Sequence, residues 1–156
     1  MRRVFRLVRS LLAAGPVIAL FSSYAYAMSV SEARQLFADK TIMTFDSSHG
    51  TQVEYLHPGG TAFLWYPGNA VIVPSEWRIT AAGTDAIICF RYGGNTYNPA
   101  TQQAGGNWEC RSASVQAARA VERANGDPFG LARRRAVPYV LSRERATIGE
   151  LKGRLQ

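Results

Sequence analysis

The 156-residue sequence is poor in the side chains that build metal and dithiol centres. It has two cysteines and two histidines, with no Cys-x-x-Cys pair and no Gly-x-Ser-x-Gly motif. Metal sites and reactive dithiols need cysteine or histidine at short fixed spacings, and many hydrolases need the glycine–serine motif. Asp46-Ser47-Ser48-His49 contains the residue types of a catalytic triad, but adjacent residues do not converge on one reacting atom, so we interpret it as a turn. The sequence therefore predicts no metal site, no cofactor and no assigned catalytic residue.

The sequence also lacks an apolar run that could span a membrane. Its main apolar run, Leu11–Phe21, is far shorter than the roughly 20 residues a spanning helix needs, and Pro16 interrupts it. Four arginines and no acid precede this run, and Ala25-Tyr26-Ala27 follows it, as in a secretory signal peptide. We therefore expect a cleaved signal peptide over residues 1–27, a mature chain from Met28, and a periplasmic or secreted protein without a stable transmembrane anchor. Two adjacent arginines near the start leave twin-arginine export as an alternative to the general secretory route.

Charge is unevenly distributed in the expected mature chain. Residues 28–110 carry a net charge of −3, and residues 111–156 carry a net charge of +6. The densest basic run is Arg133-Arg134-Arg135, and clusters of this kind bind phosphate or carboxylate groups. An anionic partner, such as a lipid head group or an envelope polymer, is expected to prefer this C-terminal third. A solvated helix end or turn is the alternative interpretation of the arginine run. Nucleic acid is not an expected partner, because the aromatic residues are concentrated before the basic segment.

Both cysteines, Cys89 and Cys110, lie in the expected mature chain. An even pair in an oxidising compartment normally forms a disulfide. The loop-entropy model assigns such a bridge a stabilisation of about 3 kcal/mol. The sequence therefore predicts a structural disulfide that joins two neighbouring β segments.

The first predicted element of the mature chain is a short helix. Ser29-Val30-Ser31-Glu32 is a capping-box pattern, in which the serine hydroxyl and the glutamate carboxylate satisfy free backbone amides. We expect a helix of two to three turns that ends before Asp39. Its apolar face is formed by Val30, Ala33, Leu36 and Phe37.

Residues 41–111 alternate short β-branched and aromatic runs with glycine, proline and asparagine, which is typical of antiparallel strands joined by turns. Several predicted strands are apolar on both faces, which favours a curled sheet whose second face is covered. The predicted fold class is mainly β (α+β): a small antiparallel β-barrel or strongly curled sheet with an N-terminal helix and short C-terminal helices. A two-layer sheet covered by the terminal helices is the alternative. The predicted strands are Thr41–Asp46, Thr51–His57, Thr61–Tyr66, Ala70–Val73, Glu76–Ala81, Ala86–Tyr92 and Trp108–Ser112.

The segment after the sheet is predicted to be a basic helical extension of the same domain. Ala113–Ala124 has a helical composition, and Gly126 suits the left-handed position beyond a helix end. Ala136–Leu141 is predicted as one last strand, and Thr147–Glu150 repeats the capping-box pattern before a terminal helix. A single exported domain is therefore expected over residues 28–156, with helix and meander over 28–112 and the extension over 113–156.

Three groups of side chains are candidates for binding or catalysis. Glu54 and Glu76 could supply the acid and base of a small hydrolase. Aromatic side chains of the sheet region are typical of ligand pockets, although core packing explains most of them. The polar segment Gly93–Asn107, between the cysteines, is a candidate loop for binding a protein partner. The candidate ligand- or partner-binding residues are Tyr97, Trp65, Tyr66, Arg133, Arg134 and Arg135.

Short motifs follow one another in a characteristic order along the first part of the mature chain. They are Glu32-Ala-x-x-Leu-Phe before Lys40-Thr41, Pro58-Gly59-Gly60-Thr61, Trp77, Ile88-Cys89-Phe90-x-Tyr92 and Trp108-x-Cys110. In this order they resemble a broad group of small exported proteins of alphaproteobacteria with lipocalin-like or barrel-like sheets and no assigned function. The resemblance covers residues 29–110 and implies a fold and a location, but no activity.

These features favour a non-catalytic periplasmic or secreted protein that binds an envelope ligand or protein. A small hydrolase that acts on an envelope polymer is one alternative. A protein-interaction module or inhibitor that acts through the loop between the cysteines is the other.

Overall fold

The computed structural model describes residues 27–99 and 101–156, so residues 1–26 of the predicted signal peptide lie outside the described residues. No helix within these ranges is long and apolar enough to cross a membrane. The elements in chain order are α1 (Val30–Phe37), β1 (Lys40–Asp46), β2 (Gly50–Leu56), β3 (Thr61–Trp65), β4 (Val73–Ala82), β5 (Asp85–Tyr92), β6 (Tyr97–Asn98), β7 (Gln103–Ala104), β8 (Glu109–Ser112), α2 (Ala113–Arg119), β9 (Ala120–Asn125), a 3-10 helix (Leu131–Arg133) and α3 (Ile148–Gly153).

Seven strands form one antiparallel sheet in the order β8-β5-β4-β3-β2-β1-β9. The sheet curls into a half-barrel, so the predicted mainly β fold class is confirmed. Helix α2 runs directly from β8 to β9 and therefore links the two edge strands of the sheet. The short β6–β7 hairpin lies between β5 and β8 in the chain.

Helix α1 begins as its sequence predicts. The backbone N–H of Glu32 donates to Ser29 Oγ at 3.3 Å, and the backbone N–H of Ser29 donates to the Glu32 carboxylate at 2.8 Å, which completes a capping box. Ala33 and Phe37 are fully buried against the concave face of the sheet. The helix ends before Asp39, whose φ of 55° redirects the chain into β1.

Strands β1 to β3 are buried on both faces. Successive side chains of a strand point to opposite faces, so one set of residues packs on the concave side and the alternate set on the convex side. The concave set is Ile42, Leu56 and Ala62, under α1. The convex set is Met43, Val53 and Trp65.

The C-terminal segment covers that convex face. Phe129, Leu131, Leu141, Ile148 and Leu151 pack against the convex set. Hydrogen bonds fix the cover in place, because Trp65 Nε1 donates to the Tyr139 carbonyl at 2.9 Å and Thr51 Oγ1 donates to the Glu144 carbonyl at 2.7 Å. The covered second face that the apolar strands predicted is therefore supplied by residues 129–151.

The predicted disulfide is present. Cys89 of β5 lies opposite Cys110 of β8, and their sulfur atoms are 2.06 Å apart. Strand β8 is only four residues long and lies at the edge of the sheet. A covalent bond to its neighbour therefore holds a strand that has few ladder hydrogen bonds of its own.

The C-terminal secondary structure differs from the prediction in two places. The predicted helix Ala113–Ala124 was wrong in its second half, because α2 ends at Arg119 and Ala120–Asn125 forms β9. Pairing with β1, which is distant in sequence, outweighs a weak helical stripe there. The predicted strand Ala136–Leu141 was also wrong: Ala136 makes only an isolated bridge with Val71.

Two further boundaries were misplaced. Ala70–Val73 and Glu76–Ala81 were predicted as separate strands, but Val73–Ala82 is one continuous strand. Gly126 does adopt the predicted left-handed φ of 65°, and it ends a strand rather than a helix. The capping box of Thr147 and Glu150 at the start of α3 is present as predicted.

Substitution of Gly50 tests how tightly the C-terminal segment packs on the sheet. Its φ is +80°, and a Cβ placed on it would lie 2.5 Å from Arg143 Cα. Gly50→Ala should therefore lower the free energy of unfolding by about 3 kcal/mol or more, from backbone strain together with a backbone clash. Gly83→Ala is the matched control, because Gly83 has a φ of +62° but nothing within 4 Å, so strain alone should cost about 1 kcal/mol. Equal losses in denaturant unfolding would contradict this packing.

Candidate functional site

The concave face of the half-barrel contains a cavity of about 170 Å³. Its apolar floor includes Phe37, Ile42 and Leu64, from α1, β1 and β3. Polar side chains from five different elements form the rest of the lining. They are Thr44, Gln52, Glu54, Tyr92, Glu109, Arg111, Gln116 and Arg119, to which the β6–β7 segment adds Asn98 and Thr101.

Glu54 is the central acidic group of this cavity. Tyr92 Oη donates to Glu54 Oε1 at 3.0 Å, and Ser75 Oγ lies 3.4 Å from the same oxygen. Burial raises the pKa of Glu54 to about 7, although the two hydrogen bonds and the charge of Arg111 favour its ionised form. Glu54 therefore changes charge near neutral pH inside the cavity, which is typical of carboxylates at functional sites.

Arg111 is the central basic group. Its side chain is half-buried, and among the described residues it makes no hydrogen bond and no ion pair within 4 Å. Burial and the neighbouring charge of Arg119 lower the pKa of Arg111, while Glu109, Tyr92 and Glu54 raise it. A half-buried guanidinium with no direct partner is electrostatically costly, and an anion would relieve that cost.

Gln116 of α2 adds an acceptor to the lining. Its Oε1 atom is buried and has no hydrogen-bond partner among the described residues. Buried polar atoms in folded proteins are nearly always hydrogen-bonded. Gln116 therefore contributes an acceptor that no described residue satisfies.

An open depression of about 450 Å³ adjoins the cavity and shares Thr44, His49 and Arg119 with it. Asp46 Oδ1 accepts hydrogen bonds from the backbone N–H groups of Ser48 and His49, at 3.0 and 2.9 Å. This confirms the predicted turn. Asp46, Ser48 and His49 all line the depression, but no hydrogen bond joins the Ser48 and His49 side chains among the described residues. His49 Nδ1 instead lies 2.9 Å from Tyr66 Oη.

The aromatic binding candidates lie in three different environments. Trp65 is fully buried in the convex core, where it packs edge-on against Phe129 and Tyr139. Its side chain therefore has no surface available to a ligand. Tyr66 contacts His49 beside the open depression. Tyr97 is 63% exposed on the β6–β7 hairpin, of which Asn98 and Thr101 line the cavity.

The basic candidates Arg133, Arg134 and Arg135 lie on the surface of the C-terminal segment. They are exposed, and none of them lines the concave cavity. Arg134 Nε donates to the carbonyl of Gly130 at 3.3 Å. The predicted basic surface and the cavity are therefore separate features of the molecule.

The two candidate carboxylates do not converge. Glu54 lies in the cavity, whereas Glu76 lies on the convex face of β4 and forms an ion pair with Arg91 at 2.6 Å. The second carboxylate of the cavity is Glu109. Glu109 and Arg111 flank Cys110 and therefore lie on the same face of β8. The sequence shows this alternation, but only the register of β8 against β5 shows that this face lines the cavity.

Glu54 should make the stability of the protein depend on pH. Because its folded-state pKa of about 7 exceeds its unfolded value, stability is unaffected below about pH 4.5 and falls as pH rises through 7. The loss is up to about 3 kcal/mol, and Glu54→Gln should remove it. Denaturant unfolding at pH 5 and pH 8.5 measures the effect, with Glu76→Gln as the control. An equal pH dependence in wild type and Glu54→Gln would contradict the shifted pKa.

The chain matches no protein-family model, no curated protein sequence and no solved structure. The resemblance to small exported alphaproteobacterial proteins therefore stays a prediction. What the cavity can do must follow from its own side chains.

Proposed function

We propose that this protein is a periplasmic or secreted binding protein, in the manner of a small lipocalin-like domain, whose concave cavity holds a small polar molecule. The single observation that carries the proposal is the polar lining of that cavity. Glu54 contributes a carboxylate, Arg111 a guanidinium without an ion-pair partner, and Gln116 a carbonyl oxygen without a hydrogen bond among the described residues. A polar ligand could form the missing interactions. Most small soluble domains fill such a space with apolar side chains instead.

Two observations support export. Residues 1–27 have the pattern of a signal peptide, and a disulfide joins the two cysteines of the chain. Disulfides persist mainly in oxidising compartments. The disulfide also holds β8, the strand that contributes Glu109 and Arg111 to the cavity. An oxidising compartment would therefore favour the intact site as well as the fold.

The size of the cavity restricts the ligand. An apolar cavity of roughly 150 Å³ holds a molecule as large as benzene, so about 170 Å³ suits a ligand of similar size or slightly larger. A lipid chain or a polymer segment would have to lie outside it. We therefore place the ligand among small polar metabolites rather than among lipids or polymers.

A hydrolase is the second candidate function. Glu54, with its pKa of about 7, and Glu109 line the same cavity, and paired carboxylates can act as acid and base. In this version Glu109, and not Glu76, is the partner of Glu54. Binding without chemical change remains our preferred proposal, because the cavity is too small to enclose a polymer.

Native mass spectrometry of the mature protein, purified from its own compartment, tests the proposal. We expect a retained small molecule, released unchanged on denaturation. Glu54→Gln should weaken the binding of this molecule at least tenfold. Glu76→Gln, which changes a carboxylate on the opposite face of the sheet, should bind it as the wild type does. Chemical conversion of the released molecule, lost in Glu54→Gln, would instead support the hydrolase. Absence of any retained molecule, together with no thermal shift in a panel of small metabolites, would reject both.

A further inference from the structure

We propose that the ligand of the concave cavity is a small zwitterion, whose carboxylate binds Arg111 and whose ammonium binds Glu54 and Gln116 Oε1. The inference rests on the proposed binding function and deepens it by assigning the class of ligand. It is carried by the distribution of unpaired donors and acceptors in the cavity lining.

The basic side of the cavity suits a carboxylate. Arg111 comes from β8 and Arg119 from the end of α2, and the first has no ion-pair partner among the described residues. Arg119 is already paired with Asp46 at 3.7 Å and is partly exposed. Arg111 is therefore the anchor, because a planar guanidinium binds a carboxylate through two parallel hydrogen bonds.

The acceptor side of the cavity suits an ammonium. Gln116 Oε1 can only accept, and Glu54 has further acceptor capacity beyond its bonds to Tyr92 and Ser75. An ammonium has three donors and no acceptor, so it matches a lining whose oxygens accept hydrogen bonds. A purely anionic ligand would meet Glu54 and Glu109 as like charges, which disfavours it.

The overall charge of the lining points the same way. Arg111 and Arg119 are opposed by Glu109, Asp46 and, when it is ionised, Glu54. A cavity lined by side chains of both charges favours a ligand that carries both signs. An amino acid with a small side chain has this charge pattern and the size of the cavity.

Calorimetric titration of the mature protein distinguishes the classes of ligand. The probes are L-alanine and L-serine as zwitterions, L-lactate for the carboxylate alone, L-alaninamide for the ammonium alone, and glycerol as a neutral polyol. We expect a zwitterion to bind at least tenfold more tightly than each of the other three. Lactate, alaninamide or glycerol binding as tightly as the zwitterions would overturn the inference while leaving the proposed function intact.

Variants identify the anchor. Arg111→Gln should abolish the preference of the protein for L-alanine over L-alaninamide, and Arg111→Lys should retain part of it. Arg133→Gln is the matched control, because Arg133 is exposed on the C-terminal segment and does not line the cavity. This variant should bind both probes as the wild type does. Unfolding curves establish that each variant is folded. An unchanged preference in folded Arg111→Gln would overturn the assignment.

The pH dependence of binding gives an independent measurement. Tyr92, Arg111, Glu109, Arg119, Asp46 and His49 are the other titratable side chains around the cavity and the depression. Because an ammonium binds the ionised form of Glu54, affinity should rise about tenfold from pH 6 to pH 8. His49 also lines the cavity, so His49→Gln is the control and should keep the rise. Affinity that falls with pH would contradict an ammonium at Glu54.

A second inference rests on a different part of the molecule. We propose that hydrolysis of the Ala27–Met28 peptide bond by a signal peptidase places the new α-ammonium of Met28 in an ion pair with Asp85. The C–N bond breaks, one water molecule gives its oxygen to the Ala27 carboxylate, and its two hydrogens convert the amide N–H of Met28 into an ammonium. The sequence pattern of the leader and the folded structure indicate the same residue independently.

Asp85 is already arranged as a receptor for this group. Its Oδ1 atom accepts the backbone N–H of Met28 at 3.0 Å, and its Oδ2 atom accepts Ser112 Oγ at 2.8 Å. The carbonyl of Met28 in turn accepts the backbone N–H of Ala86 at 2.7 Å. These hydrogen bonds hold the pKa of Asp85 below its usual range, so the carboxylate is charged when the amine is formed.

Two chains released from a cleavable fusion test this inference, one beginning at Met28 and one at Ala27, with both first residues verified by mass. The chain from Met28 should melt about 2–5 °C higher, because its ammonium meets Asp85 directly. Asp85→Asn should abolish the difference between the two chains, and Glu76→Asn should leave it unchanged. Equal melting temperatures of the two wild-type chains, or a difference that persists in Asp85→Asn, would overturn the inference.

Discussion

The burial of β1 to β3 on both faces is the constraint on which the rest of the structure depends. A strand places alternate side chains on opposite faces, so Met43, Val53 and Trp65 need a second cover in addition to the one that α1 gives to Ile42 and Leu56. Residues 129–151 supply that cover, and the hydrogen bonds of Trp65 and Thr51 fix its position. The half-barrel is therefore a three-layered body in which α1 packs on one face of the sheet and residues 129–151, which include the 3-10 helix and the start of α3, pack on the other.

The same curvature creates the candidate site. Helix α1 fills only part of the concave face, and the remaining part is lined by polar side chains from β2, β5, β8 and α2. Two of these groups carry an electrostatic cost. Burial of Glu54 costs stability once the carboxylate ionises, and Arg111 is half-buried without a direct partner. A group that lowers stability and is nevertheless held in a fixed geometry is more typical of a binding site than of a core.

Local signals in the sequence predicted the local parts of the fold. The capping boxes at Ser29 and Thr147, and the turns between the early strands, depend on neighbouring residues and appear where they were expected. Strand β9 was missed because its identity depends on pairing with β1, some eighty residues earlier. The complete burial of Trp65 was not predicted for a similar reason. Alternation shows that two residues lie on opposite faces of a strand, but not which face a distant segment will cover.

The candidate site was only partly accessible to sequence reasoning. Glu54 was a candidate because carboxylates are the common acids and bases of enzymes, yet the same argument selected Glu76, which lies outside the cavity. Arg111 and Gln116 belong to no motif, and the motif that contains Tyr92 indicates a fold and not a site. Their convergence depends on the register of β5 against β8, which the disulfide fixes, and on the position of α2 between the two edge strands.

The pairing of the first strand with the last one also determines when the protein can fold. Lys40 of β1 pairs with Asn125 of β9, and Thr51 of β2 donates a hydrogen bond to the carbonyl of Glu144. The β9 edge of the sheet and its convex cover therefore form only after nearly the whole chain has been synthesised. Contacts of such long sequence separation form late, because the loop between them must close first. The sheet therefore gains its β9 edge and its convex cover only when the last third of the chain has joined it.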